Sequence, residues 1–148
     1  MKLIFEADDA LTPGTAKVVT HPEERKQWTP IRQALQQAEE KVGLINAAND
    51  RIIQVPPTQI ASIVSEDRMC GVTLITGERY LLNKRLKAAE ENFAPPRFLR
   101  INNGTIIGAA HIHAFSSAAH ARIEVVLTDG SRHTVSRFYI QQFRRNLT

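Results

Sequence analysis

Val126-Leu127-Thr128-Asp129-Gly130-Ser131-Arg132-His133-Thr134-Val135-Ser136-Arg137 contains a strand end, a turn, a second strand and a helix start. Arg122–Leu127 is a strand-like run, and Asp129-Gly130 after it is a hairpin-turn pair in which glycine supplies the positive φ. Arg132–Val135 returns as a second strand, so the two runs pair antiparallel. Ser136 can cap a final helix whose Tyr139, Ile140, Phe143 and Leu147 recur at helical spacing. Repeated upstream, this unit makes a mainly β chain with short helices at element ends.

The upstream texture repeats it. Arg51–Val55 reads as a strand closed by Pro56-Pro57, and Ile60–Ser65 as another, with Glu66-Asp67-Arg68 at its tip. Val72–Thr76 and Glu78–Leu82 flank Thr76-Gly77, a second hairpin signal. Asn83 can cap a short helix bearing Leu86, Ala89 and Phe93 on one face. Pro95-Pro96 imposes an extended lead into the strand Phe98–Ile101, and His111–Phe115 is a further strand. The first 45 residues differ. Lys2–Glu6 and Ala16–Thr20 read as short strands, and Thr29-Pro30 as a helix start. An apolar stripe of Ile31, Ala34, Leu35, Ala38 and Val42 follows, with Gly43 as the stop. The expected division is a β-β-α appendage over residues 1–45 and the β-domain over 46–148. The appendage is too small to fold alone, so it docks on the rest or pairs with a second copy.

Composition limits the function. The hydrophobic share of 43% is ordinary for a globular chain, and no apolar run approaches the roughly 20 residues that span a bilayer. The opening Met1–Asp9 turns acidic too soon for a secretory signal. Cys70 is the only cysteine, which leaves no internal disulfide, zinc ribbon or redox pair and suits the cytoplasm. His111-x-His113 puts two rings on one strand face, with His120 the only near third ligand; an exposed strand face near phosphates is the favoured reading over a metal site. No phosphate loop, nucleophile elbow or paired-carboxylate motif is present, so neither an enzyme nor a cofactor is expected. Charge supplies the positive clue. The chain carries +4, but residues 1–96 hold 12 Lys/Arg against 13 Asp/Glu, while residues 97–148 hold seven arginines against Glu124 and Asp129, a net +5. An all-arginine excess presents planar forks suited to phosphates and guanine edges, although a solvated basic surface has the same composition.

The order of the pieces resembles the LytTR DNA-binding family of bacterial regulators. The resemblance runs through Gln59-Ile60, Ser65–Arg68, Leu74–Tyr80, Leu86–Glu90, Arg97-Phe98-Leu99-Arg100-Ile101-Asn102-Asn103 and Val126–Arg137, about 100 residues in all. It depends most on Phe98-Leu99-Arg100-Ile101 and on Asp129-Gly130 followed by Val135-Ser136-Arg137. Two departures stand out. Gly104 occupies a place where the family usually carries Ser, and Ile107-Gly108-Ala109 stands where Val-Asn-Leu is usual. The loss of that hydroxyl implies altered or weaker DNA reading. Residues 1–45 are also too short for a receiver domain, so the chain resembles the family's receiver-less regulators.

The resemblance implies antiparallel β-sheets that read duplex DNA from loops on one edge, in successive major grooves. The matching loops are Asp67-Arg68-Met69-Cys70, Asn102-Asn103 and Ser136-Arg137. Arg137 is the leading base contact, since its fork can take both acceptors of a guanine; the bland reading pairs it with Asp129 or water. Asn103 can pair with an adenine edge or simply make a turn. Asn102 binds a phosphate or braces that turn. Arg68 is a tip contact or a solvated side chain, and Arg100 binds phosphate or pairs across a strand. Lys84 and Arg85 open a helix whose dipole disfavours cations, a placement that a phosphate would relieve. Phe93, Phe98, Phe115, Phe138, Tyr139 and Phe143 fall mostly at apolar-periodic positions and read as core rather than as stacking platforms for single-stranded nucleic acid. The expected function is a sequence-specific, duplex-DNA-binding transcriptional regulator that acts on repeated sites as a homodimer. The alternative is an interaction module of the same fold that binds a protein partner, for instance one in the membrane.

Overall fold

The structure, a computed structural model, describes residues 1–147, apart from the side chains of Gln37, Ala38 and Glu39. Ala38, expected on the helix stripe, lies outside the described side chains. The chain divides into two units, Met1–Gln36 and the remainder from Gln37.

In the first unit a 3-10 turn over Pro22–Gln27 leads into helix α1, Trp28–Glu39. The His21 ring Nδ1 accepts from the Glu23 N–H at 3.1 Å, capping the turn. The Trp28 indole N–H donates to Thr20 Oγ1 at 2.6 Å. The helix therefore begins one residue before the expected Thr29-Pro30. Lys2–Glu6 and Ala16–Thr20 are not strands. Neither has a ladder partner among the described residues, and a short extended segment gains nothing from its pattern without one. Leu3, Ile4 and Phe5 are accordingly exposed.

The helix also ends earlier than expected. Val42–Ile45 is strand β1, not the last helical turn, and pairs antiparallel with β2, Ile52–Val55. The reason is tertiary: Leu44 is fully buried in the sheet core, a stronger draw than helical propensity. The other strands are β3 (Ile60–Glu66), β4 (Met69–Leu74), β5 (Arg79–Leu82), β6 (Phe98–Asn102), β7 (Thr105–Gly108), β8 (Ile112–Ala118), β9 (Arg122–Leu127) and β10 (Arg132–Val135). Among the described residues they form two antiparallel sheets, ordered β2-β1-β5-β4-β3-β7-β6 and β10-β9-β8. Helix α2 is Leu86–Asn92 and α3 is Ile140–Leu147. The mainly β class with short helices is therefore observed. Asn83 does not cap α2; Arg85 occupies the cap position without a side-chain bond.

Alternation along β6, β7 and β3 divides the interior into two cores. Phe98, Ile106 and Ile63 face one side, where they join Leu86, Ala89 and Phe93. The Phe93 and Phe98 rings meet edge-on at 5.0 Å. Leu99, Ile101, Ile107 and Ala61 face the other side, packed on Ile123, Val125, Leu127, Val135 and Phe143. The larger sheet thus has α2 on one face and the smaller sheet with α3 on the other. Strand β7, absent from the sequence reading, is Thr-Ile-Ile-Gly buried at all four positions. A strand covered on both faces loses the apolar-polar alternation that would reveal it.

Gly108 has a steric reason to be glycine. A Cβ there would lie 2.8 Å from the Ile60 carbonyl oxygen and 3.0 Å from His111 Cδ2. The backbone oxygen cannot move aside cheaply, so Gly108→Ala is expected to lower the unfolding free energy by about 1–3 kcal/mol, as overpacking does. Gly104→Ala meets nothing nearer than Asn102 Oδ1 at 3.7 Å, and its expected change is within about 0.5 kcal/mol. Urea denaturation of the pair measures the difference; equal stabilities would contradict the packing argument.

Candidate nucleic-acid interface

Strands β3, β5, β6 and β10 end, and β4, β7 and β9 begin, at one edge of the two sheets. This gathers the β3–β4 tip, the Asn83–Arg85 segment, the Asn102–Gly104 turn and the Ser136–Arg137 junction. Backbone and side-chain bonds tie these pieces together. The Ser65 N–H donates to the Gly104 carbonyl at 2.8 Å and the Ser136 N–H to the Ile101 carbonyl at 2.9 Å. Asn102 Nδ2 donates to the Thr134 carbonyl at 2.9 Å. The loops are therefore one hydrogen-bonded edge rather than independent projections.

The tip is shorter than the sequence suggests. Glu66 pairs with Met69, leaving Asp67-Arg68 as the turn, with Asp67 at φ +58°. Arg68 is exposed and Met69 half-buried. Cys70 lies in the core, fully buried, so its side chain offers nothing to a ligand. Its thiol donates to the Lys84 carbonyl at 3.2 Å, which ties the tip to the segment before α2. Burial, with help from the Glu66 charge, pushes that thiol's pKa up, so it remains a protonated donor. Lys84 itself is exposed and donates through Nζ to Asn92 Oδ1 at 2.9 Å.

Arg100 turns inward. Its guanidinium donates to the Asn102 carbonyl at 3.1 Å and to the Asn103 carbonyl at 2.8 Å, and meets Glu90 Oε2 at 2.8 Å. Within the chain these bonds make it a clamp on the turn. Asn102 takes the bracing half of its expectation: Oδ1 accepts from the Gly104 N–H at 2.9 Å while Nδ2 holds Thr134. Asn103 is exposed, and its Oδ1 accepts from the Tyr139 hydroxyl at 3.3 Å. That bond orients the amide of an exposed residue. Ser136 is half-buried at the N-cap position without a side-chain cap bond.

Arg137 is exposed, and Asp129, its suggested partner, instead accepts from Ser131 at the far turn. Among the described residues Arg79, Arg97, Arg100 and Arg132 each pair with a glutamate, whereas the guanidinium groups of Arg68 and Arg137 make no ion pair. Arg137 borders an open depression of about 570 Å³ shared with Arg122, Ser117, Ile140, Gln141 and Arg144. His111 is engaged elsewhere, its Nε2 2.7 Å from the Thr58 carbonyl oxygen.

Two contributors escaped the sequence reading. Tyr139, taken there as core, is half-buried, bonds Asn103, and lies under the Arg100 guanidinium at 5.9 Å. Only its hydroxyl, unneeded in an apolar core, hinted at this. Arg122, at the first position of β9, reaches the depression beside Arg137 only through the antiparallel return of the chain.

A family model described as the LytTr DNA-binding domain matches residues 50–148. The sensory transduction protein LytT of Enterococcus faecalis is 26% identical over 98 residues, 66% of this chain and 40% of that protein. The sensory transduction protein LytR of Staphylococcus haemolyticus is 25% identical over 114 residues, 76% of this chain and 43% of that protein. The chain thus spans about two fifths of the length of these relatives. A solved LytTr DNA-binding domain from Bacillus cereus superposes with a TM-score of 0.66 at 23% identity, covering 74% of this chain and 97% of that one.

Proposed function

We propose that this chain, which belongs to the LytTR DNA-binding domain family through residues 50–148, is a cytoplasmic transcriptional regulator that binds specific duplex sites through its loop edge. The observation that carries the reading is the hydrogen-bonded edge itself, where Arg68, Asn103 and Arg137 project from a support that Arg100, Asn102 and Tyr139 hold in place. Preorganised side chains on a rigid support suit base reading. Arg137 is the guanine contact, Asn103 the adenine contact, and Arg68, Met69, Lys84 and Ser136 lie against the backbone or groove wall.

Binding to repeated sites as a homodimer follows from the few base contacts one module offers. Residues 1–36 supply the candidate pairing surface, with Leu3, Ile4, Phe5, Val19 and Leu35 exposed. A monomer mass by sedimentation on the bound duplex would contradict this part. The same exposed side chains favour a second reading, in which a partner protein docks there and controls the regulator; among the described residues no helix is long and apolar enough to cross a membrane. Cross-linking that recovers only self-pairs would remove it.

The test of the main reading is fluorescence anisotropy of the full chain against duplexes from its own upstream region, at two salt concentrations. One duplex is expected to bind well above the rest, with affinity falling steeply as salt rises. Equal, weak binding to every duplex would overturn specific regulation.

A further inference from the structure

Neither core uses Phe138. Its ring is 86% exposed, although it sits between Arg137 and the half-buried Tyr139 at the start of the last helical segment. It is also held in place. The ring stands edge-on to Tyr139, with centroids 5.0 Å apart and planes at 77°. Tyr139 is in turn fixed by its bond to Asn103 and by the Arg100 guanidinium above its face. The ring is thus a large apolar group on a fixed mount, available to a partner that covers it.

The surroundings indicate what covers it. Arg137 adjoins it in sequence, and Arg122 and Arg144 line the depression next to Arg137. An arginine fork beside one apolar ring matches the major groove, which presents phosphates, guanine acceptors and the C5-methyl of thymine together. Arg137 and Phe138 are neighbours on one 3-10 turn, so a duplex met by one lies within reach of the other.

We propose that Phe138 is a specificity residue that packs on the methyl group of a thymine adjacent to the base pair contacted by Arg137. The inference rests on the duplex-DNA reading above, but it concerns a position that reading leaves unassigned.

The test begins by selecting a tight duplex from a randomised pool with the full chain. Each thymine is then replaced singly by deoxyuridine, which deletes only the methyl. The wild type is expected to lose about fourfold in affinity at one thymine of each half-site, the worth of one methyl-sized group buried. Phe138→Ala is expected to bind the thymine duplex more weakly by at least that factor, and to be indifferent to the same replacement. Its salt slope should match the wild type, since an uncharged ring is removed, and its melting temperature should fall by no more than a few degrees, since only the edge-on contact with Tyr139 is lost. Three results overturn the proposal while leaving DNA binding intact: no thymine matters to the wild type, the deoxyuridine effect persists in Phe138→Ala, or Phe138→Ala binds at wild-type affinity. Selection of no duplex by the wild type would overturn both this inference and the function it rests on.

Discussion

Phe143→Ala is expected to lower the unfolding free energy by about 3–5 kcal/mol, the usual penalty for truncating a buried phenylalanine. Phe143 is only 1% exposed, and it packs in the core shared by Leu99, Ile101, Ile107 and Val135. Its ring meets Phe115 edge-on at 5.2 Å and 88°. Helix α3 has eight residues, too few to be stable on its own. Tyr139, Ile140 and Leu147 are only partly buried against that core, so Phe143 is the one anchor α3 buries fully. The loss is a large share of the about 5–15 kcal/mol that holds a typical domain together. Because α3 follows directly on the Ser136–Tyr139 segment, the variant should also bind duplex DNA more weakly than its folded fraction accounts for. Phe143→Leu keeps most of the volume and should lose far less. Urea denaturation with an unchanged slope measures both variants; a shift below about 1 kcal/mol for the alanine variant would contradict the assigned role.

Arg100→Met is expected to lower stability by about 2–3 kcal/mol, because charge-assisted bonds are lost and their partners remain. The Arg100 side chain is 19% exposed and Glu90 37%, so the pair is partly desolvated and outweighs a surface bridge. The substitution leaves the Asn102 and Asn103 carbonyls without this donor. Duplex binding should weaken because Asn103 is no longer held. The salt dependence distinguishes this role from the one expected on sequence grounds. A clamp contributes no phosphate neutralisation, so the slope of log K against log salt should not change. A slope reduced by about 0.9 would instead mark one lost phosphate contact. Salt titrations of the wild type and the variant decide between them.

The difference between those two roles for Arg100 shows where sequence reasoning stops. Strands β2, β3, β5, β6, β9 and β10 are legible to within a residue, because turn chemistry bounds each of them. Strand β7 is not, because both of its faces are buried; β1 is not, because its sheet partner β2 lies across a turn and overrides the preceding helical stripe. The N-terminal strands fail for the opposite reason, having the pattern but no neighbour to pair with. At the candidate site, residue types and order identify the loops, but bond direction is three-dimensional information. Nothing in Phe-Leu-Arg-Ile-Asn-Asn says that the arginine folds back on the two carbonyls after it. Nor does the spacing reveal that Cys70 sits in the core while Arg68, two residues earlier, projects. Gly108 reads as a departure from a binding motif until the Ile60 carbonyl is seen against it; it then becomes a packing requirement.

If the loop edge reads sequence through Arg137, the decisive measurement is the affinity of wild type and Arg137→Ala for a selected duplex and for variants altered at single base pairs. Arg137→Ala is expected to lose about 1–3 kcal/mol on the selected duplex and to lose its preference at one base pair of each half-site, with preferences elsewhere retained. A uniform weakening across all duplexes, or no weakening, would contradict it.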